Sequence, residues 1–285
     1  MNSKVADRIA TALLWFSGIL IILLLAWFLF RILGDGLRYV TWDFVTGKPE
    51  EISAGGGVGP QLFNSFYILF LSLVLSLPIG MGAGIYLAVY AKKTGFTNLI
   101  RISVEALSSV PSIVFGLFGY LLFASYFGWK FSILGGACTL ALLNLPVLVR
   151  VTEEGIRAVP DSYWEASLAL GSTKWQAIRK VLVPASLPTL ITGITLVAGR
   201  ALGESAILIY TAGLSVSRFF PDFNPMKIGE TLSVHLWYVQ SEALVPDAKQ
   251  IAQGSAALLL IVVLVFNLLI AIPSRMIQKR LSGGK

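Results

Sequence analysis

Six long segments of the chain are almost continuously apolar, and polar residues are concentrated in the stretches between them. Each apolar segment has at least about 20 residues, the length that an α-helix needs to cross the hydrocarbon core of a bilayer. The pattern predicts six transmembrane helices, at 9–33, 62–91, 102–127, 131–151, 186–213 and 254–277. We therefore expect an all-α integral membrane protein.

The first apolar segment has the position of a signal peptide but not its length. Its run from Ile9 to Phe30 is longer than the roughly 7–15 apolar residues of a signal core. No small-x-small cleavage site follows, because the next residues are Arg31, Ile32 and Leu33. We expect this segment to be retained as an N-terminal membrane anchor.

Composition excludes a soluble globular domain. The chain has 285 residues, of which 56% are hydrophobic and 13% are charged, whereas a soluble domain carries about a quarter charged residues. The net charge of +7 reflects the placement of cations around the membrane, and no nucleic-acid partner is expected. Cys138 is the only cysteine, so no intrachain disulfide can form. We expect one membrane domain over 1–285, with its core at 62–277.

The distribution of cations predicts the orientation of the chain in the lipid bilayer. Lys and Arg are about twice as frequent in the segments that an internal N-terminus places inside as in the outer segments. Because cationic loops resist translocation, this bias predicts that both termini are cytoplasmic. The same topology places the polar segment 152–185, between the fourth and fifth spans, in the cytoplasm.

This cytoplasmic segment, 152–185, carries the local signals of a helix-turn-helix. Capping-box patterns begin at Ser162 and at Thr173, and each predicts the start of a helix. Gly171 stands where a left-handed residue would close the first helix. Pro184 is expected to end the second helix before the next span begins.

The second helix of this segment is predicted to be amphipathic. Trp175, Ile178 and Leu182 recur at spacings of three and four residues, which places them on one apolar face. Basic residues occupy the other face: Lys174, Arg179 and Lys180. By themselves these residues suit either a helix lying on lipid headgroups or a short helix docked in a groove of a partner protein.

Two charged residues stand inside the fifth apolar segment. Arg200 and Glu204 are four residues apart, a spacing that puts them on one helical face within reach of an ion pair. A charge near the bilayer centre costs about 2.5–3.5 kcal/mol on insertion scales, so both are expected to face the protein interior or a polar path. They indicate either a neutralised pair that locks the bundle or a cationic site on the route of an anion, which the carboxylate keeps from binding too tightly.

The sequence contains no constellation that indicates catalysis. The glycines at Gly55, Gly56, Gly57 and Gly59 lack the Gly-Lys-Ser/Thr ending of a phosphate-binding loop. His235 is the only histidine, and no nucleophile and base are paired around it. A lone loop histidine is most often an ordinary surface or interface residue. We expect a non-catalytic chain without a cofactor or metal, and any ATP would be bound by another chain.

The cytoplasmic segment resembles a known family motif. Glu165-Ala166, then Gly171, then Val181-x-Val183-Pro184 are similar to the EAA loop of ABC-importer permeases. Ser167 stands where the motif has alanine, and two small substitutions precede its final proline. In that family the loop fits a cleft in a cytoplasmic ATPase, so the resemblance implies that Glu165, Ala166, Gly171 and Pro184 couple the chain to an ATPase.

Further stretches, in order along nearly the whole chain, resemble the PstA-type permease of phosphate ABC importers: Phe63–Phe66, Leu107–Gly116, Asn144–Val147, Arg150–Glu154 and Gly199–Glu204. The resemblance implies a type I ABC importer permease fold and identifies Arg200 and Glu204 with the intramembrane charged residues of the family. It also implies a PstC-type permease, two cytoplasmic ATP-binding subunits and an extracytoplasmic phosphate-binding protein as partners.

Other functions remain open at this point. The residues also suit a permease for phosphonate, sulfate or molybdate, or the sister PstC-type phosphate permease. A membrane-embedded enzyme and an assembly factor without a transport path are less consistent with the proline- and glycine-rich spans and the charges within them.

Overall fold

The computed structural model describes residues 3–50, 54–92, 94–217, 219–242 and 245–281. Within these ranges the chain is helical and contains no β-strand. Its α-helices are, in chain order, α1 (Ser3–Gly36), α2 (Trp42–Thr46), α3 (Gly59–Ile85), α4 (Gly95–Ser108), α5 (Ser112–Gly119), α6 (Ile133–Arg157), α7 (Asp161–Ala169), α8 (Lys174–Ala177), α9 (Val183–Leu202), α10 (Ala206–Thr211), α11 (Leu232–Ser241) and α12 (Ala248–Leu281).

The predicted number of spans agrees with the structure. Helical stretches that are long and apolar enough to cross a membrane are Asp7–Tyr39, Gly59–Tyr90, Ile133–Arg157, Lys174–Leu202 and Ala248–Pro273. A sixth candidate is a bent pair made of α4 and the helical stretch Ser112–Tyr126. The all-α membrane fold is therefore confirmed. The two chain ends, predicted to be cytoplasmic, include residues outside the described ranges.

The third predicted span, 102–127, is not one straight helix. α4 ends at Ser108, Pro111 immediately precedes α5, and the two helices are bent by 95°. Proline lacks an N–H and disfavours a helical conformation at the residue before it, so the chain turns at Ser109 and Val110. Average hydropathy locates the apolar run but does not register a break made by a single proline.

The fifth predicted span, 186–213, is also interrupted. α9 ends at Leu202, Gly203 closes it, and the chain becomes helical again only at Ala206, in α10. The prediction of one continuous helix across Glu204 is therefore wrong. The correction matters because the helical spacing between Arg200 and Glu204 does not persist past the end of α9.

Glycines bring α3 and α6 into close contact. A Cβ atom on Gly80 would lie 2.7 Å from Leu148 Cβ, and one on Gly84 would lie 2.5 Å from Thr152 Cβ. Both pairs are offset by 68 residues along the chain, so the two helices run parallel in one register. The Gly80-x-x-x-Gly84 spacing therefore forms a close helix–helix contact of the small-xxx-small kind.

The α9 helix packs between α6 and α12 through further glycines. Gly193 lies against Val151 of α6, and Gly199 lies against the amide of Asn267 in α12. The buried core that results joins residues from α3, α6, α9 and α10, among them Ile68, Leu140, Ala198, Leu202 and Ile207. α9 is thereby held between α6 and α12. These contacts decide which face of α9 remains exposed.

The first helix stands apart from this core. No residue in the apolar window of α1 is buried, and its contact with the bundle lies at its C-terminal end. There Gly36 lies directly against Gln253 and Ala257 of α12. The helix thus has a long apolar surface that the described residues of this chain leave uncovered.

The glycine register makes a prediction about stability. Gly84→Ala should destabilise the protein by about 1–3 kcal/mol, because the added methyl group overpacks the contact with Thr152. Gly82, two residues earlier, is exposed, and no atom of a neighbouring element lies within 4 Å of the position that an added methyl group would occupy. Gly82→Ala should therefore be neutral or slightly stabilising. Thermal unfolding of the purified protein in detergent measures both. Equal effects of the two substitutions would contradict the register.

Candidate functional site: the hairpin and Arg200

The segment between α6 and α9 folds as the predicted helix-turn-helix, here called the hairpin (residues 161–182). Gly171 follows α7 with a φ of 81°, the left-handed conformation that glycine adopts at least cost. Thr173 then caps α8. Its Oγ1 accepts from the Gln176 amide at 3.3 Å, and Gln176 Oε1 accepts from the Thr173 amide at 2.9 Å. This predicted capping box is confirmed.

The capping box predicted at Ser162 is wrong. α7 begins at Asp161, directly after Pro160, and no side chain caps it. Proline fixes the backbone before the first turn, and Asp161 supplies an acidic side chain in that turn, where the helix dipole favours negative charge. The helix start is therefore set by proline and charge.

Pro184 does not end the second helix of the hairpin. The chain passes from α8 through a π-helical turn, Ile178–Leu182, directly into α9. Pro184 lies in the first turn of α9, a position where the missing N–H of proline is tolerated. The wider π turn before it accommodates the proline. The helical backbone therefore continues from the hairpin into α9 without a break.

The hairpin has one face attached to the bundle and one face exposed. Ile178 and Leu182 are buried against Ile156 of α6 in a small apolar cluster. On the other side Leu170 is 89% exposed and Trp175 is 60% exposed, so Trp175 does not share the buried face predicted for it. The residues of the EAA-like motif, Glu165, Ala166 and Gly171, are exposed as well.

An ionic cluster fixes the end of α6 from which the hairpin starts. Glu153 Oε1 accepts from Arg101 Nε of α4 at 2.8 Å and pairs with Arg157 Nη2 at 2.9 Å. Both guanidinium groups also donate to the carbonyl of Leu87, each at 3.2 Å. These bonds join α6 to α4 and to the helical turn that follows α3, so the end of α6 that leads into the hairpin is held by two other elements.

Arg200 lies in the last turn of α9 on a face that its own chain leaves exposed. Glu204 is partly buried beyond the helix end. Within the described part of the chain, no ion pair within 4.0 Å involves either residue. The expected pairing of Arg200 with Glu204 on one helical face is thus corrected. The reason is the turn at Gly203, which carries the carboxylate off the helix.

The break after α9 is tied to α11. The carbonyl of Glu204 accepts from Ser233 Oγ at 2.9 Å. The segment around Ser233 is in turn bonded to α3, because Asn64 Nδ2 donates to the Glu230 carbonyl at 3.0 Å and Leu232 N donates to Ser65 Oγ at 2.9 Å. The position of Glu204 therefore depends on contacts with two other helices.

A buried polar group that the sequence did not reveal lies beside this segment. Gln61 Nε2 donates to Glu230 Oε2 at 2.9 Å, and His235 Nδ1 lies 3.1 Å from the same oxygen. His235 is only 6% exposed, so its interpretation as a surface residue is wrong. The Glu230-x-x-x-x-His235 spacing across a Thr231 cap was the one local signal that could have suggested the pair.

The structure is thus a bundle of apolar helices with an exposed hairpin and with Arg200 on the exposed face of one apolar helix. The chain belongs to the family of binding-protein-dependent transport system inner membrane components, whose family model matches residues 80–283. Membership in this family makes it the membrane permease component of an ABC importer.

Two relatives cover most of the chain. It is 44% identical to the probable ABC transporter permease protein YqgI of Bacillus subtilis, over 100% of both chains. It is 32% identical to the phosphate transport system permease protein PstA of Haemophilus influenzae, covering 93% of this chain and 92% of the relative. The resemblance to PstA-type permeases is therefore confirmed.

Solved structures show the same fold. The MetNI methionine ABC transporter matches with a TM-score of 0.58 and 21% identity, over 78% of this chain and 94% of that chain. A bacterial alginate ABC transporter matches with a TM-score of 0.66 and 14% identity, over 98% and 96%. These likenesses establish the type I ABC importer permease fold.

The buried polar group yields a prediction. Glu230→Ala should destabilise the protein by about 1–3 kcal/mol, because Gln61 and His235 lose a shared acceptor in a buried site. Glu242→Ala, at an exposed carboxylate close by, is the matched control and should change stability little. Thermal unfolding in detergent measures each variant. The double variant Glu230→Ala/His235→Ala should cost less than the sum of the two single variants, and strict additivity would show that the two side chains do not interact.

Proposed function

We propose that this chain is the non-catalytic permease subunit of an ATP-driven importer that carries inorganic phosphate into the cytoplasm. The observation that carries the proposal is the arrangement of Arg200 and the hairpin on one continuous helical element. An exposed guanidinium in a membrane span suits a tetrahedral oxyanion, to which it can donate two parallel hydrogen bonds. The PstA relatives, which are named for phosphate transport, support this choice of anion.

We assign the proposed partner proteins to surfaces that this chain leaves exposed. The exposed apical residues of the hairpin would dock on one of two cytoplasmic ATP-binding subunits, and the other would serve the second permease. A PstC-type permease would stand opposite the free face of α9, across the anion path, and an extracytoplasmic phosphate-binding protein would deliver the anion. In this arrangement both termini and the hairpin are cytoplasmic, in agreement with the cation bias of the loops.

Arg200→Gln should reduce phosphate uptake by at least about tenfold, because one charge-assisted bond to the anion is worth roughly 1.5–3 kcal/mol. Uptake of radioactive phosphate into vesicles that contain the assembled transporter measures this. Arg200→Lys keeps the charge but loses the planar fork, so it should retain more uptake than the glutamine variant. Unchanged uptake in Arg200→Gln, with the complex intact, would remove Arg200 from the path.

A second candidate substrate class is another oxyanion, because the 44% identical relative is named as a permease without a stated substrate. Competition decides between the candidates. Excess unlabelled phosphate should abolish uptake of radioactive phosphate, whereas sulfate, molybdate and methylphosphonate at the same concentration should leave most of it. Inhibition by one of these anions that equals or exceeds inhibition by phosphate would reassign the substrate.

Ala166→Arg should separate the chain from its ATPase without unfolding it. Ala166 is exposed on α7, so the fold should accommodate a large cation there, which would obstruct a docked partner. We expect loss of ATPase co-purification and of ATP-driven uptake with normal thermal unfolding of the permease. Asn98→Arg, at an exposed position of α4, is the control and should leave both intact. Normal ATPase association of Ala166→Arg would place the docking site elsewhere.

A further inference from the structure

The exposed residues of α9 all lie on one face of the helix. From Val183 to Leu202 they are spaced by four, three, four and four residues, a period that follows a single stripe along an α-helix. The residues of this stripe, here called the α9 stripe, are Ala185, Thr189, Thr192, Leu196 and Arg200. Every other residue of α9 is buried or partly buried by the bundle.

The composition of the α9 stripe differs from that of the exposed faces of α3 and α12. The exposed face of α3 is formed by large apolar residues, among them Phe66, Phe70, Val74 and Ile79. The same holds for α12, with Leu264, Val265, Leu268, Leu269 and Ile272. Such faces suit lipid. In contrast, the α9 stripe has only one large apolar side chain and ends in a guanidinium, which is costly in hydrocarbon.

An open groove continues the α9 stripe towards the hairpin. It has a volume of about 1030 Å³ and lies between α6 and α9. Its walls include Thr189, Thr192 and Leu196 of the stripe, and its hairpin end is lined by Lys180. Leu196 is one helical turn from Arg200, so one end of the groove lies about a turn of α9 from that residue, and the other end is lined by Lys180.

Close packing gives the groove a firm floor. Gly155 lies against Thr189 and Gly193 lies against Val151, so the α6 and α9 backbones approach each other beneath the stripe. Both glycines line the groove themselves. Since they carry no side chains, the groove keeps its depth where the two helices touch.

We propose that Thr192, Thr189 and Lys180 form the inner half of the anion path, which leads from Arg200 to the cytoplasm. The proposal rests on the proposed function in that it takes the cargo to be a small oxyanion. Thr192 Oγ1 donates to the Pro188 carbonyl at 2.9 Å, so its oxygen can accept from a protonated oxyanion. Neutral hydroxyls between two cations bind weakly, which allows the anion to leave Arg200 and move on.

The groove also holds an opposing charge. Glu154 lines it together with Lys180, and Glu154 Oε1 is bonded to Arg150 Nε at 2.8 Å. Because the carboxylate is paired with Arg150, Lys180 stays the cation that determines the sign of the potential at the hairpin end of the groove. An anionic solute should therefore enter the groove more readily than a cationic one of equal size.

Cysteine accessibility in the complete transporter tests the path. Cys138 is the only cysteine, so Cys138→Ser provides a clean background for Thr192→Cys and Thr189→Cys. Thr195→Cys is the matched control, because Thr195 is on the same helix but off the stripe and only partly exposed. The probes are the water-soluble reagents methanethiosulfonate ethylsulfonate, an anion, and its trimethylammonium analogue, a cation.

We expect the thiols at positions 189 and 192 to react at least about tenfold faster than the thiol at 195, and faster with the anionic reagent than with the cationic one. Labelling of these thiols should block phosphate uptake, and added phosphate should slow the labelling. Lys180→Gln should lower the anion-to-cation rate ratio at position 189 by several fold, whereas Lys174→Gln, an exposed cation outside the groove, should not change it.

Absence of reaction at both positions, with and without ATP, would overturn the proposal, because a partner would then bury the stripe. Reaction only with a lipid-soluble maleimide would overturn it equally, because the stripe would face lipid. The outcome is separable from that of the proposed function. If the stripe is labelled but the transporter takes up sulfate or molybdate in place of phosphate, the proposed path stands and the proposed substrate is wrong. If phosphate is taken up but the stripe is not labelled, the proposed substrate stands and the proposed path is wrong.

Discussion

A guanidinium group within a bilayer needs a polar surface in front of it, and Arg200 finds no carboxylate partner in the described part of its own chain. The remaining architecture depends on this constraint. Glycine contacts pack α9 closely against α6 and α12, and Arg200 lies on the face of α9 that remains exposed. Because a guanidinium is costly in hydrocarbon, we propose that a polar path or a second subunit lies in front of this face.

The breaks in the helices place polar backbone where the bundle protects it. Gly203 ends α9, and the freed carbonyl of Glu204 is satisfied by Ser233. Irregular backbone at membrane depth is tolerated only where protein or a water-filled cavity satisfies it. On the α11 side, the polar contacts around Glu230 and His235 supply such partners within the protein. They hold the break between α9 and α10 in a fixed position against α11.

The hairpin and Arg200 belong to one continuous helical element. Helical backbone continues from α8 through the π turn into α9, and the ionic cluster around Glu153 fixes the end of α6 beside it. The exposed hairpin tip and Arg200 are therefore connected by continuous helical backbone. The buried contacts of Ile178 and Leu182 hold the lower part of this element against α6.

The sequence by itself determined the features that depend on neighbours close along the chain. Six apolar runs, the left-handed Gly171 and the Thr173 cap follow from spacing and from backbone chemistry. Only the tertiary structure decided where Pro111 and Gly203 break the spans, that Arg200 and Glu204 separate, and that His235 is buried. Its contact with Gln61 joins residues 174 positions apart. Such a pairing depends on how the helices pack, which no local pattern encodes.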